Sequence, residues 1–170
     1  MRVVFLLVLT AGIQTSAAYA QGNVRDFHRA GPEAERQAYF AHVRTEINEL
    51  LIRWKRAWES DDASAIANLY GVAANLYPAG ARPVQLRRAI REHYDSLLPL
   101  VADVNVQMID FGTSGDLAYV TARVTYFVRT ETQQVRPQVR IDMLVLRRRS
   151  YSNWEIENHL LQESSPAPNP

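Results

Sequence analysis

The sequence predicts an α+β fold in which helices come first and an antiparallel sheet follows. In the first half of the chain, apolar residues recur at steps of three and four, as is typical of amphipathic helices. From Val101 onward they recur at every second position, as in strands with one buried face. Short polar turns join these strands, with no helix between them. This order predicts a curved antiparallel sheet wrapped around a long N-terminal helix and two shorter helices.

The long helix is predicted over Glu33–Glu59. Pro32 suits a first helical turn, and Glu33 and Glu35 are favourable near the positive end of the helix dipole. Its apolar residues form one stripe, which consists of Phe40, Val43, Ile47, Leu50, Leu51, Trp54 and Trp58. The helix should therefore lie with this stripe against the sheet.

Two shorter helices are predicted after it. Asp61 and Asp62 lie between the first two helices and are interpreted as helix caps rather than metal ligands. The second helix is alanine-rich, covers residues 63–70 and ends at Gly71. The third starts at residue 83 or 84 and runs to about residue 98, where Pro99 stops it.

Three long strands are predicted over residues 117–130, 139–149 and 154–161, after a first strand that begins near Val101. Alternation along the strand 139–149 places Arg140 and Asp142 on the same face as Leu144 and Leu146. Two charged residues are therefore expected on an otherwise apolar face.

The N-terminus has the order of a secretory signal peptide. Met1-Arg2 is basic, residues 3–13 are mostly apolar, and Ala18-Tyr19-Ala20 supplies small residues before a cut at Gln21. The apolar run is shorter than the roughly 20 residues that a membrane anchor needs. We therefore expect a periplasmic or secreted protein that does not stay in the membrane after cleavage. The expected organisation is a signal peptide over 1–20, a lead-in over 21–32, one domain over 33–162 and a disordered tail over 163–170.

Composition excludes several classes of function. The chain has no cysteine, so it forms no disulfide and no cysteine-based zinc site. Without Arg2 it has 18 basic and 18 acidic residues, which gives no electrostatic reason to expect nucleic-acid binding. It also lacks a phosphate-binding loop, a dinucleotide fingerprint and a nucleophile elbow. We expect neither a cofactor nor a metal site.

Four stretches resemble a known family in the order in which they occur. They are a helix, acidic break and short helix that ends in tyrosine (54–70), the segment LYPAG with the following RAI (76–90), the turn GDLAYVT (115–121), and LVLRR with WEI and a histidine (144–159). Over residues 47–161 this order resembles the NTF2-like superfamily, specifically its SnoaL-like or DUF4440-type branch. The resemblance implies a curved sheet around helices, an apolar conical pocket for a small, largely apolar molecule, and a homodimer formed through the outer sheet face.

The chain departs from that family at the positions that matter for catalysis. Enzymes of the family carry acidic residues just after the short helix, where this chain has Val72 and Ala73. Leu86 stands where the family usually has glycine before the third helix. A general base at the first position needs a carboxylate, so its absence argues against isomerase-like or cyclase-like chemistry.

Asp142 and His159 are the candidate catalytic residues. In an apolar pocket the carboxyl group of Asp142 could serve as an acid or base, or it could pair with Arg140 or Arg123 across the sheet. His159 could carry a proton near neutral pH, or it could be a hydrogen-bonded histidine in a strand. Both interpretations stay open for both residues.

Aromatic residues are the candidate pocket lining. Trp54 and Trp58 lie one helical turn apart, and the conical pocket that the resemblance implies could be lined by them together with Tyr70, Tyr77, Tyr94 and Tyr126. Such a stripe is also typical of an ordinary core. Three functions therefore remain: binding of a small molecule in the cone, lyase or isomerase chemistry through Asp142 and His159, and a dimeric interaction module with a filled cone.

Overall fold

The computed structural model describes residues 33–129, 135–150 and 153–163. The predicted signal peptide, lead-in segment and most of the tail lie outside these ranges. Glu163, which was predicted to lie in the tail, is the last residue of a strand. Across the described part of the chain, no helix combines the length and apolar character needed to cross a membrane.

The described residues form three α-helices, a short 3-10 helix (Leu98–Leu100) and one six-stranded sheet. The helices are α1 (Glu33–Glu59), α2 (Ala63–Ala67) and α3 (Arg87–Leu97). The strands are β1 (Tyr70–Tyr77), β2 (Val84–Gln85), β3 (Val101–Ser114), β4 (Leu117–Arg129), β5 (Val135–Ser150) and β6 (Asn153–Glu163). Their order in the sheet is β2-β1-β6-β5-β4-β3, and all neighbours are antiparallel except β1 and β6. The predicted α+β class, with a curved open sheet around helices, is confirmed.

The core lies between α1 and the concave face of the sheet. Helix α1 has the predicted bounds and packs against β3 and β6. Its apolar stripe is buried from Val43 to Trp58, whereas Phe40 is 42% exposed and rests on Phe111. The opposing sheet residues are almost all fully buried, namely Ala118, Val120, Ala122, Val124, Leu144, Leu146 and Ile156.

The second helix is shorter than predicted. Asp62 caps it as expected, because its carboxylate accepts a hydrogen bond of 2.8 Å from the backbone N–H of Ala65. The helix stops at Ala67, and the carbonyl of Leu69 instead accepts from the Ile156 N–H in β6. Pairing with the sheet therefore outweighs helix propensity, and Tyr70 starts a strand rather than ending a helix.

The third helix starts later than predicted. Val84 and Gln85 pair with β1, and the Leu86 N–H donates to the Ala74 carbonyl. Leu86 itself has φ +74° and ψ 140°, a conformation that normally requires glycine. The chain turns at this residue, so α3 begins only at Arg87.

Candidate functional site

The centre of the cone is a buried charged cluster on β5 and β6. Asp142 and His159 are fully buried, and Arg140 is 4% exposed. The Arg140 Nε–H donates to Asp142 Oδ1 over 2.8 Å, and His159 Nε2 lies 3.1 Å from Asp142 Oδ2. Arg140 and Asp142 are two residues apart on one strand, so they share one face of it, as the alternation predicted, and their burial shows that this face is the inward one.

A chain of hydrogen bonds continues from His159 to two tyrosines. The Tyr70 hydroxyl lies 2.7 Å from His159 Nδ1 and 2.9 Å from the Tyr94 hydroxyl. Since a carboxylate only accepts, His159 Nε2 must carry the proton, and Nδ1 accepts from Tyr70. The Tyr70 hydroxyl proton is then engaged with His159, so the Tyr94 hydroxyl donates its proton to the Tyr70 oxygen. The network fixes one tautomer of His159.

Burial and the neighbouring charges set the protonation states of this network. Burial lowers the pKa of His159 below its ordinary 6.5, although Asp142 partly opposes this effect, and the imidazole is neutral. Burial raises the pKa of Asp142, but Arg140 and His159 together lower it by more, so it lies below 3.8. Burial also raises the pKa of Tyr70 far above its usual range and that of Tyr94 to about 12. At neutral pH the network is an ion pair joined to neutral groups.

This protonation pattern has a definite effect on stability. His159 binds a proton more readily in the unfolded chain, so folding loses stability as the pH falls below about 6.5. Asp142 has a lowered pKa in the folded state, so its contribution is complete above about 3.8 and is lost as the pH falls through the folded value. Both groups therefore make acid destabilising.

Of the six predicted pocket aromatics, two belong to this network (Tyr70 and Tyr94) and three pack around it (Trp54, Trp58 and Tyr126). The Trp54 ring makes edge contacts with Trp58 and His159 at centroid distances of 5.8 and 5.6 Å. Trp58 also contacts Tyr94 at 5.5 Å and Tyr126 at 6.4 Å. The rings of Trp54, Tyr70 and Tyr94 are fully or almost fully buried. They fill the deep part of the cone.

Tyr77 is the exception among the predicted lining residues. Along β1 the side chains alternate, and Leu76 takes the inward position. Tyr77 therefore points to the other side of the sheet and is 38% exposed. Its assignment to the pocket is wrong, because the prediction did not fix which face of β1 each residue occupies.

The buried cluster leaves little room for acid–base catalysis. Both carboxylate oxygens of Asp142 accept hydrogen bonds, and both ring nitrogens of His159 are engaged. A general base needs a lone pair within reach of the substrate proton. Of the two arginines considered as partners, Asp142 pairs with Arg140, whereas Arg123 lies exposed on the outer face.

Three buried donors in and around this cluster lack a partner. Among the described residues, none accepts a hydrogen bond from Arg140 Nη2, Trp58 Nε1 or Trp54 Nε1. Arg140 and Trp58 are close, since the Arg140 guanidinium lies 5.7 Å from the centre of the Trp58 ring. It also lies 5.1 Å from the Tyr126 ring. A buried donor without an acceptor costs about 1–3 kcal/mol.

Trp58 also lines a pocket of about 360 Å³ at the end of α1. We call this the Trp58 pocket; its lining consists of Trp58, Glu59, Asp61, Leu98, Val101, Ala102, Asp103 and Val104. Asp61 and Asp103 both have positive φ angles, 52° and 51°. Asp61 takes the left-handed position that ends α1, since the Asp62 N–H donates to the Ala57 carbonyl, and Asp103 lies at an irregularity in the pairing of β3 with β4. Apart from Trp58, no sequence pattern pointed to this pocket.

A second buried charged cluster lies at the middle of α1. One oxygen of Glu46 accepts hydrogen bonds of 2.9 Å from Arg148 and from the Trp154 indole, and His42 lies 3.1 Å from the other oxygen. The Arg148 guanidinium stacks on Trp154 at 4.6 Å. Sequence reasoning missed Glu46, although it falls between Val43 and Ile47 on the buried stripe. These contacts anchor the helix to β5 and β6.

The described residues contain no group of three or more histidine, aspartate or glutamate side chains that could hold a metal ion. Glu59, Asp61 and Asp103 line the Trp58 pocket, but they do not form such a group.

Comparison with known proteins identifies the fold. No protein-family model matches the chain, and no curated protein matches it. Among solved structures, a ketosteroid isomerase-like protein from Erwinia carotovora atroseptica SCRI1043 matches with a TM-score of 0.65 and 21% identity, over 72% of this chain and 96% of that one. An NTF2-like superfamily protein from Salmonella enterica serovar Typhimurium LT2 has a TM-score of 0.65 and 12% identity, over 76% and 96% of the two chains.

A third structure, an NTF2-like protein with a cystatin-like fold from Novosphingobium aromaticivorans, has a TM-score of 0.58 and 18% identity, over 82% of this chain and 90% of that one. At such identities the comparison concerns the fold alone. The chain has the NTF2-like fold, as the resemblance implied, and the narrower DUF4440-type assignment stays a prediction.

Proposed function

We propose that this protein, whose fold is NTF2-like, is exported and binds a small, largely apolar molecule in the Trp58 pocket. The observation that carries the proposal is the pair of buried donors, Trp58 Nε1 and Arg140 Nη2, which lack acceptors among the described residues. Of these two residues only Trp58 lines the pocket, and both donor atoms are closed to solvent, so a ligand oxygen would have to enter beside the Trp58 ring to accept from both. Ligand binding would thereby remove a desolvation cost that the free protein carries.

The lining of the pocket indicates the chemistry of the ligand. Leu98, Val101 and Val104 contribute apolar side chains next to the Trp58 ring, and the rest of the accessible lining is mostly polar. Asp61 and Asp103 make the rim negative and would repel an anion, whereas the charge of Glu59 is balanced by its pair with Lys55. The group that meets the donors is therefore a neutral oxygen of a carbonyl or hydroxyl group. A volume of about 360 Å³ is at the lower end for small-molecule sites and suits a compact ligand.

Acid–base catalysis through Asp142 and His159 is the less supported function. Both residues are fully buried and hold each other in a closed network, so neither offers a free proton acceptor to a substrate. A putative dehydratase from Streptomyces avermitilis shares the fold at 13% identity, but its name describes that protein. The structure favours a polar core that supports the cone.

Export and dimerisation belong to the same proposal. The signal-peptide pattern at residues 1–20 supports a periplasmic or secreted location, without membrane association after cleavage. The convex face of the sheet exposes apolar side chains, among them Tyr119, Val139, Met143 and Leu160, each at least 40% exposed. An apolar surface of this kind suits a homodimer interface. The balanced charge supports no nucleic-acid partner.

Nuclear magnetic resonance of the tryptophan indole N–H groups tests the ligand site. The chain has three tryptophans, so the W58F variant assigns the Trp58 signal directly. We expect benzamide and related neutral aromatic amides and ketones to shift that signal. Benzoate, which has nearly the same shape, should bind at least about tenfold more weakly because of the acidic rim.

The Y77F variant is the matched control, since Tyr77 lies outside the cone and its substitution should leave the benzamide titration unchanged. The proposal fails if neutral amides and ketones do not change the chemical shift of the Trp58 indole N–H, or if they bind W58F as tightly as the parent protein.

A further inference from the structure

A second concave surface lies between α2 and α3, away from the Trp58 pocket. We call it the α2–α3 groove; its lining consists of Ser64, Ala67, Asn68, Val72, Leu86, Arg87, Arg88 and Arg91. It has a volume of about 750 Å³ and shares no lining residue with the Trp58 pocket. This volume is within the usual range for a small-molecule site.

The groove exposes apolar side chains to solvent. Val72 is 70% exposed and Leu86 is 56% exposed. Leu86 holds its side chain there although its φ of +74° is unfavourable for any residue with a Cβ atom. A glycine would adopt this turn without strain, so the leucine is not required by the backbone. Strain that the fold does not need is a feature of functional surfaces.

The rim of the groove is basic. Arg87 is fixed, because its Nε–H donates to the Tyr70 carbonyl over 2.7 Å and its guanidinium pairs with Glu155. Arg88 and Arg91 make only exposed pairs with residues one turn further along α3, with N···O distances of 3.6 Å. Exposed pairs of this kind contribute little, so both arginines can exchange partners for a ligand.

The two properties together define a ligand class. None of the lining residues is acidic, and the apolar side chains lie next to the arginines. We propose that the α2–α3 groove binds an amphipathic carboxylate, with an aliphatic tail over Val72 and Leu86 and an anionic head between Arg88 and Arg91. Guanidinium groups match carboxylates well because they offer two parallel donors. The Trp58 pocket, with its negative rim, would reject the same molecule.

Titration calorimetry with octanoate, below its micelle concentration, tests this inference. We expect octanoate to bind the parent protein and 1-octanol, which lacks the charge, to bind at least about tenfold more weakly. The double variant R88Q/R91Q should lose affinity for octanoate by a similar factor. The matched control R53Q/R56Q removes two exposed arginines from α1 and should bind octanoate as the parent does. Circular dichroism verifies that each variant is folded.

Further variants distinguish ligand binding in the groove from binding in the Trp58 pocket and from a contact between two copies of the chain. L86G relieves the turn and removes the apolar side chain, so it should weaken octanoate binding while the protein stays folded. W58F should bind octanoate normally, so failure of the Trp58 proposal would not affect this result. The inference is overturned if octanoate does not bind, if octanol binds equally well, or if R53Q/R56Q loses as much affinity as R88Q/R91Q. It is also overturned if V72S converts a dimer into a monomer by light scattering, because the groove would then hold a second copy.

Discussion

The buried pair of Arg140 and Asp142 makes the sharpest prediction about stability. Replacing Asp142 with leucine leaves the Arg140 guanidinium, which is 4% exposed, without its anion. It also leaves His159 Nε2–H without an acceptor. Removing one member of a buried pair typically costs about 3–5 kcal/mol, because the remaining charge is uncompensated. We expect D142L to lower the free energy of unfolding by that amount.

The double variant R140M/D142L separates the charge effect from simple packing. R140M alone should cost about as much as D142L, since it leaves a buried carboxylate. In the double variant no uncompensated charge remains, and the unsatisfied His159 N–H costs about 1–3 kcal/mol. The double variant should therefore be more stable than either single variant. If the two effects were simply additive, its free energy of unfolding would instead be about 6–10 kcal/mol lower than that of the parent protein.

Urea denaturation at about pH 7, followed by tryptophan fluorescence, measures these differences. R123M is the matched control, because Arg123 is exposed on the outer face of the sheet and its loss should change stability by no more than about 0.5 kcal/mol. A double variant as unstable as the sum of the two single variants would refute the reasoning, since the two side chains would then share no interaction.

Three further predictions concern other parts of the fold. H159Q should flatten the rise of stability from about pH 5 to pH 7 by up to about 1.4 kcal/mol per pH unit, seen in urea titrations; an unchanged slope would exclude His159 as the titrating group. E46Q should cost about 2 kcal/mol, because it weakens charged hydrogen bonds from Arg148 and Trp154, and an unchanged melting curve would argue against that anchor. L86G should raise stability by about 1 kcal/mol, and a loss would show that the left-handed turn is not strained.

The sequence predicted the long helix and the sheet well because their periodicities are strong. The alternation along the 13 residues of β4 leaves little ambiguity about which face is buried. Alternation in β5 put Arg140 and Asp142 on one face but did not fix that face as the inward one, because the residues of the other face are all apolar. Short elements were less predictable, since Tyr70 and Val84 sit in strands whose pairing depends on partners elsewhere in the chain.

The buried cluster of the cone was predictable in its members but not in its hydrogen bonding, and of the Trp58 pocket only Trp58 was predicted. Asp142, His159 and five of the aromatics were found, whereas the hydrogen bonds that close the network depend on side-chain placement. Spacing along a strand cannot show whether both oxygens of a carboxylate accept hydrogen bonds from neighbouring side chains. The role of Glu46 was missed because a single acidic residue on an apolar stripe gives no sign of its two partners on β5 and β6.

Native mass spectrometry of the protein purified from its own host tests the central claim most directly, namely that a small molecule occupies the Trp58 pocket. Parent protein should carry a non-covalent mass that is released on denaturation, and W58F purified in the same way should lack it. D142N, if folded, should retain the mass, because Asp142 supports the cone without contacting the ligand. Parent protein without any bound mass, or W58F with the same mass as the parent, would contradict the proposed site.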